Sequence, residues 1–141
     1  KKKQKTRRKK DKMAEKKHIN YDSINSGENQ VLHEGNVLAS HSRNYFLTLD
    51  NQGHLLVYVS AHFVSKNVIW SSQTNGKGDG PYHFNMQSDG NAVVYDKHNH
   101  PVWSTDTWNK GKAPYRITVQ DDGNLVVYDG QGAPTCELFL K

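Results

Sequence analysis

The chain has 141 residues and a mass of 16.0 kDa, the usual size of a single domain. Its single cysteine, Cys136, excludes an intrachain disulfide and any zinc site that needs two or more thiolates. No stretch of the sequence reaches the ~20 apolar residues that a membrane-spanning helix needs, which excludes that class of membrane protein.

Charge divides the chain into an arm and a body. Residues 1–17 carry eleven Lys or Arg and two acidic residues, a net charge of +9, whereas residues 18–141 carry eight basic and twelve acidic residues, a net charge of −4. The arm has almost no apolar side chains to bury, so we predict that residues 1–18 are disordered in isolation. We expect residues 1–17, from Lys1 to Lys17, to contact an anionic partner such as a membrane, a nucleic acid or an acidic filament. The alternative is a solvated tail without a partner.

An internal repeat covers most of the body. With a shift of 33 residues, 15 of the 27 positions from 70 to 96 are identical to those from 103 to 129. A weaker copy lies upstream, where Tyr58 precedes Tyr95 by 37 residues, and we place the extra residues in the loop 59–67. The domain 19–141 is therefore predicted to consist of three units, about 19–66, 67–99 and 100–141.

Each unit has the pattern of a β-hairpin, with a Gly at the turn between two short apolar runs. In the middle copy the two strands are predicted at about 82–87 and 92–96, and a further strand carries the Trp at 68–71 and at 102–105. Trp70 and Trp103 are expected in the core. Period-two alternation assigns these residues to the inner face: Leu47, Leu49, Leu55, Val57, Phe84, Met86, Ala92, Val94, Ile117, Val119, Leu125 and Val127.

The outer face repeats one polar set twice. The sets are Gln87, Asp89, Asn91, Val93 and Tyr95, and Gln120, Asp122, Asn124, Val126 and Tyr128. Each set combines hydrogen-bond donors and acceptors with a small apolar side chain, which suits a monosaccharide. The alternative is ordinary turn and strand chemistry, which accounts for one set but not for the Gln or for the repetition.

These two sets resemble the mannose-binding signature of the bulb-type (monocot mannose-binding) lectin family. The resemblance covers nearly all of residues 19–141. It implies an all-β fold, a type II β-prism of three roughly four-stranded antiparallel sheets in a pseudo-threefold arrangement, with no metal and no cofactor. It also implies that Asp and Asn bond the axial 2-hydroxyl of mannose, Gln the 3-hydroxyl and Tyr the 4-hydroxyl, while Val packs on the ring.

The first copy departs from this signature. Four of its five positions differ, so we predict a degenerate, silent site at Asp50, Gln52, His54, Leu56 and Tyr58. The shift of 33 residues places Cys136 where a third Trp is expected, and the C-terminal segment differs from the family pattern, which leaves a homodimer open. Trp108 interrupts the repeat and is either a simple exposed residue or an extension of a sugar site.

Other chemistries are less well supported by the sequence. His98 and His100 lie in a turn, and the remaining histidines lack ligand spacing, so no metal site is predicted. Asp89 and Asp122 lie in different repeats, which we expect to hold them farther apart than the ~5–10 Å of glycoside hydrolysis, and no enzyme is predicted.

The sequence therefore predicts a metal-independent, non-catalytic lectin for D-mannose or high-mannose glycans and glycoproteins. The alternative function is a sugar-blind β-prism interaction module whose basic arm binds the anionic partner. The lack of a disulfide and of a visible signal peptide favours the cytoplasm, with the nucleus and non-classical secretion as alternatives.

Overall fold

The computed structural model describes residues 17–19, 22–27 and 30–139, so residues 1–16 of the predicted arm lie outside the described residues. The described residues form thirteen strands and one turn of 3-10 helix, Ser65–Asn67. The strands are β1 (Lys17–Ile19), β2 (Ser23–Asn25), β3 (Val31–His33), β4 (Asn36–Ala39), β5 (Phe46–Leu49), β6 (Leu55–Tyr58), β7 (Val68–Ser71), β8 (His83–Met86), β9 (Ala92–Tyr95), β10 (Pro101–Ser104), β11 (Arg116–Val119), β12 (Leu125–Tyr128) and β13 (Pro134–Glu137).

The predicted hairpins form because short polar turns connect strands with matching alternation. In the middle copy the backbone N–H of Asn91 donates to Asp89 Oδ1 at 2.9 Å, and Gly90 adopts a φ of 93°, which glycine takes without strain. The turn sets the register of β8 against β9, from His83 opposite Tyr95 to Met86 opposite Ala92. The connection from β6 to β7 is longer than the one from β9 to β10, which confirms the position of the extra residues.

The strands form three sheets that do not coincide with contiguous repeats. The first sheet has the order β1-β4-β5-β6-β7, the second β10-β9-β8-β3 and the third β13-β12-β11-β2. The N-terminal segment gives one strand to each sheet in reverse order, since β2 joins the third, β3 the second and β4 the first. This arrangement ties all three sheets together through one short stretch of chain.

The first sheet differs from the prediction of four antiparallel strands. Lys17–Ile19 pairs in parallel with β4, with Lys17 opposite Asn36, so the first sheet has a fifth strand. Two residues that the sequence assigned to the arm, Lys17 and His18, belong to this strand. The pairing supplies partners for the backbone groups of β4, which would otherwise be an open edge.

The inner faces of the sheets meet in one core, and the predicted inner-face residues are all buried there. Trp70 and Trp103 pack against this core with their ring centroids 5.7 Å apart, as expected. Phe139 stacks on Trp70 at 5.9 Å. Phe139, three residues beyond Cys136, therefore supplies an aromatic ring in place of the Trp that is missing at position 136.

Three tyrosine–glycine contacts, here called the tyrosine–glycine ring, link each repeat to another. A Cβ added at any of the three hairpin glycines would lie 2.9 Å from a tyrosine ring of another repeat, so only glycine admits the ring. The pairs are Tyr82 on Gly53, Tyr115 on Gly90, and Tyr45 on Gly123. Each repeat thus places its tyrosine on the turn of the preceding one, and the first repeat closes on the third.

No helix in the described parts of the chain has the length and apolar character needed to cross a membrane.

Candidate functional site

The second sheet brings the five motif residues of the middle copy together on its outer face, here called the second site. Gln87, Asn91 and Tyr95 are half-buried, and Asp89 is exposed in the turn. Gln87 Nε2 donates a hydrogen bond to Tyr95 Oη across the hairpin. Asn91 Oδ1 accepts from Thr105 Oγ1 at 3.2 Å and from the backbone N–H of Thr107 at 3.3 Å. These bonds fix the orientation of both amides.

The fixed orientations determine which polar groups the second site presents. Asn91 keeps its Nδ2 as a donor, and Gln87 keeps its Oε1 as an acceptor. Because its oxygen accepts from Gln87, the Tyr95 hydroxyl can donate its hydrogen elsewhere. Asp89 uses Oδ1 within its own turn, which leaves Oδ2 as a charged acceptor. The second site therefore offers two donors and two acceptors, the pattern that adjacent hydroxyl groups need.

Val93 forms the floor of the second site. It is 3% exposed, and its counterpart Val126 in the third sheet is 1% exposed. Both valines were expected as an apolar patch beneath a sugar ring. They lie on the outer face but offer little open surface, so any contact with a ligand is confined to the floor of the groove.

The third sheet carries the equivalent third site with the same internal bond, from Gln120 Nε2 to Tyr128 Oη. Asn124 differs from its counterpart Asn91. It is 1% exposed, and its Oδ1 accepts from the backbone N–H of Phe139 at 3.1 Å. The expectation that this side chain faces outward is wrong, because the C-terminal segment that carries Phe139 covers it.

A different residue packs on the motif tyrosine in each sheet. In the second site His83 stacks on Tyr95, with ring centroids 5.4 Å apart and planes 21° apart. In the third site the Arg116 guanidinium lies 4.5 Å from the centroid of the Tyr128 ring. Burial lowers the pKa of His83, and the nearby His33 lowers it further, so His83 favours its neutral form.

The outer face of the first sheet is covered around Tyr58. Phe63, from the longer loop between β6 and β7, packs edge-on against Tyr58 at 5.0 Å and against Phe46 at 5.7 Å. Tyr58 is only 7% exposed, and burial raises the pKa of its hydroxyl, with a further increase from the charge of Asp50. Leu56 is buried in the same cluster.

The polar residues of the first sheet are engaged with each other. Asp50 Oδ1 accepts from the backbone N–H groups of Gln52 and His54, both at 2.9 Å. His54 Nδ1 lies 3.6 Å from Asp50 Oδ2. The carboxylate that stands at the Gln position of the motif therefore caps its own turn.

Several solved structures have a fold similar to that of this chain. The chain is similar to a monomeric monocot mannose-binding lectin from Gastrodia elata, with a TM-score of 0.70 and 28% identity over 85% of this chain and 98% of that one. It is similar to a Marasmius oreades lectin, with a TM-score of 0.73 and 28% identity over 87% and 94% of the two chains. It is also similar to the mannose-specific agglutinin from snowdrop (Galanthus nivalis) bulbs, with a TM-score of 0.64 and 27% identity over 76% of this chain and 88% of that one. No family model and no curated protein matches the chain.

The chain has the bulb-type lectin fold. The predicted all-β class and β-prism architecture are thereby confirmed, and so is the family resemblance. Within this bulb-type lectin fold, Phe63 covers the tyrosine of the first sheet, the amides and tyrosine of the second site are half-buried, and the C-terminal segment covers Asn124 of the third.

Trp108 lies at the rim of the second site. Its neighbour Thr107 bonds Asn91 through its backbone N–H, and the backbone N–H of Asn109 donates to the carbonyl oxygen of Asp89 at 2.6 Å. Trp108 is 61% exposed. The backbone on both sides of this exposed residue is thus bonded to the motif, at the position where the sequence repeat is interrupted.

Metal ligands are not clustered in the part of the chain that the structure describes. No group of three or more His, Cys, Asp or Glu side chains is arranged to hold an ion there. The rings of His98 and His100 lie 6.0 Å apart in the turn between β9 and β10.

Sequence reasoning missed Phe63, which covers the first sheet, and Tyr45, which packs on Gly123. Phe63 lies in the segment that has no counterpart in the other repeats, so no pattern marked it. Tyr45 precedes Phe46 as Tyr82 precedes His83 and Tyr115 precedes Arg116, and this shared spacing was a signal that could have found the tyrosine–glycine ring.

Proposed function

We propose that this protein is a non-catalytic, metal-independent lectin that binds D-mannose or mannose-containing glycans, with the second site as its principal site. The observation that carries the proposal is the set of two donors and two acceptors held by Gln87, Asp89, Asn91 and Tyr95 above the Val93 floor. Adjacent sugar hydroxyls both donate and accept, so this alternation matches them.

The solved neighbours support mannose as the sugar. The Gastrodia elata lectins are described as mannose-binding, and the snowdrop agglutinin was solved in complex with methyl α-D-mannoside. In the proposed complex, Asp89 and Asn91 bond the axial 2-hydroxyl, Gln87 the 3-hydroxyl and Tyr95 the 4-hydroxyl. A shallow groove of this kind buries little surface, so we expect each site to bind a monosaccharide with a Kd on the order of 1 mM.

The three sites are proposed to differ in strength. The second site is the strongest because its Asn91 amide is accessible. The third is weaker, because Asn124 must first be uncovered by movement of the segment that carries Phe139. The first is silent, since its groove is filled and its carboxylate caps its own turn.

Affinity chromatography on mannose-agarose tests this function. The full chain is expected to be retained with EDTA present and to elute with free mannose. The variant Asp89→Asn with Asp122→Asn should pass through, since each Asn keeps the Oδ1 that caps the turn but loses the charged acceptor. Gln52→Ala, the equivalent exposed position of the first sheet, is the matched control and should be retained. Retention of the double variant at wild-type strength, or release by EDTA, would contradict the proposal.

The charge of the arm supports a separate anionic partner. Residues 1–17 carry +9 on a body of −4, so deletion of residues 1–16 should abolish binding to heparin and leave mannose binding intact. A truncated chain that still bound heparin at physiological salt would refute this proposal.

A further inference from the structure

Trp108 is the most exposed of the large apolar side chains in the described residues, at 61% against 44% for Val59 and Ile69. A large apolar side chain that is exposed on its own is ordinary and needs no function. Trp108 differs from the other two in its place, since the turn that carries it is bonded to the turn of the sugar motif. The position of that turn therefore decides what the indole can contact.

Hydrogen bonds on both sides of Trp108 hold its turn against the hairpin turn of the second site. Thr107 Oγ1 donates to the carbonyl oxygen of Gly90 at 2.7 Å, in addition to the bond from its backbone N–H to the motif amide. On the other side, the backbone N–H of Asn109 donates to the carbonyl oxygen of Asp89. The backbone at Trp108 is therefore positioned before any ligand binds, which lowers the entropic cost of a contact made there.

The first sheet has the same turn with a different side chain. Thr74 Oγ1 donates to the carbonyl oxygen of the turn glycine Gly53 at 2.6 Å, the counterpart of the bond from Thr107. The exposed polar residue Asn75 stands there in place of Trp108. The turn itself therefore does not require a tryptophan. The aromatic ring occurs beside a complete motif, and the asparagine occurs beside the degenerate one.

The proposed roles of the motif residues decide which side of a bound mannose faces Trp108. Tyr95 takes the 4-hydroxyl and Gln87 the 3-hydroxyl, while Asp89 and Asn91 take the 2-hydroxyl at the hairpin turn. The sugar carbons thus run in the order C4, C3, C2 toward the turn, and the next carbon is the anomeric C1. Trp108 belongs to the turn at this end, so it lies nearest to the group that mannose carries at C1.

The surroundings of Trp108 favour one small apolar partner. Its exposed neighbours in the turn, Asp106, Asn109 and Lys110, are all polar. The apolar surface is therefore a single indole, whereas a membrane contact uses an apolar face of several residues. A flat aromatic face of this size matches one ring or one apolar group of a ligand.

We infer that Trp108 is a specificity-determining residue of the second site, whose indole stacks on an apolar group attached in α-linkage to C1 of a bound mannose. This role rests on the proposed function, since the mannose ring must first occupy the motif. The second site therefore prefers mannosides with a flat apolar group at C1 to methyl mannoside.

Calorimetric and NMR titration of the full chain with methyl α-D-mannoside and phenyl α-D-mannoside tests the inference. The phenyl mannoside should bind about three- to tenfold more tightly, the gain that one aromatic contact allows. It should also shift the indole N–H signal of Trp108, while the signals of Trp70 and Trp103, which pack against the core, stay in place. Phenyl α-D-galactoside carries the same ring but has the opposite orientation at its 2- and 4-hydroxyls, and it should not bind.

Three variants separate the indole from the motif. Trp108→Asn introduces the residue of the first-sheet turn and should bring the affinity ratio of the two mannosides to about one. Trp108→Phe keeps a flat ring and should retain most of the preference. Ile69→Thr removes an exposed apolar side chain of the first sheet and, as the control, should retain all of it. The indole shift in the unmodified chain keeps the test valid if Trp108→Asn fails to fold.

The outcomes distinguish the role of Trp108 from the lectin function. If both mannosides shift the amides from 89 to 95 but bind equally tightly, or if the preference persists in Trp108→Asn, the role is refuted and the lectin function stands. Equal binding of phenyl galactoside, or attachment to phosphatidylcholine vesicles that Trp108→Asn abolishes, would assign the indole to another ligand and also refute the role. If neither mannoside shifts any amide, the proposed function and the role of Trp108 fail together.

Discussion

The first and second sheets share one backbone plan but have opposite outer faces. Tyr58 and Tyr95 occupy equivalent positions, yet Phe63 covers the first and leaves it 7% exposed, whereas His83 stacks beside the second, which stays half-buried. The covering ring comes from the longer loop after β6, which carries Phe63. The loop thus places an aromatic ring over the motif tyrosine of a hairpin whose register is the same as in the second sheet.

The two outer faces also differ in what they contribute to folding and to binding. The first sheet buries its outer face in an apolar cluster, which contributes to folding. The second keeps the polar side chains of Gln87, Asn91 and Tyr95 half-buried on its outer face instead of covering them with an apolar cluster. Polar groups kept at a surface contribute less to folding than buried apolar ones but remain available to a ligand.

The largest effect should come from the turn glycines that both sheets share. In Gly90→Ala, the new Cβ would lie 2.9 Å from the Tyr115 ring at a φ of 93°, and we expect a loss of about 2–4 kcal/mol in the free energy of unfolding. Gly76→Ala has a similar positive φ with open space around it, so it should lose about 1 kcal/mol. Chemical denaturation measures both. Equal losses would contradict the role of the tyrosine–glycine ring.

Removal of the aromatic cover should weaken the first sheet. Phe63→Ala is expected to cost about 2–3 kcal/mol, below the ~3–5 kcal/mol of a fully buried Phe, since Phe63 is half-buried. Val59→Ala, an exposed position of the same loop, should stay within about 0.5 kcal/mol of wild type. Thermal unfolding checks the pair, and an effect of Phe63→Ala as small as the control would show that the cluster is not a stabilising element.

Restoring the motif in the first sheet tests whether Phe63 or the changed motif residues prevent sugar binding there. A variant with Asp50→Gln, Gln52→Asp, His54→Asn and Leu56→Val has the five motif residues but keeps Phe63 over Tyr58. We expect no methyl mannoside binding at this sheet, and binding on the order of 1 mM once Phe63→Ala is added. NMR shifts of the amides from 52 to 58 provide the measurement. Binding by the variant that retains Phe63 would mean that the motif residues suffice and that the cover is irrelevant.

The smallest effect should be a pH dependence of stability that arises at His83, where the first sheet has Phe46. The pKa of His83 is lowered by burial and by His33, so the unfolded chain takes up the proton first as the pH falls. Its contribution to stability is present above about pH 6.5, the ordinary His value, and is lost as the pH falls through the lowered pKa. His83→Phe, which introduces the residue of the first sheet, should flatten the stability profile below about pH 6.5. Parallel profiles for the two proteins would refute this assignment.

The parts of the structure that the sequence could predict are those that repeat. Alternation fixed the inner faces, and the Asp-Gly turns fixed the hairpins, because both depend on local spacing. Lys17–Ile19 could not be predicted as a strand, since a segment with few apolar residues joins the sheet through backbone bonds to β4. Phe139 could not be placed over Asn124, because its segment departs from the repeat and its position depends on packing against Trp70.

Titration of the isotope-labelled full chain with methyl α-mannoside, followed by NMR, shows whether the second site binds the sugar and the first sheet does not. The account predicts that the backbone amides from 89 to 95 shift first, that those from 122 to 128 shift at higher sugar concentration, and that those from 52 to 58 do not move. Shifts confined to the first sheet, or no shift at the second site at sugar concentrations well above 1 mM, roughly the Kd expected of such a groove, would contradict it.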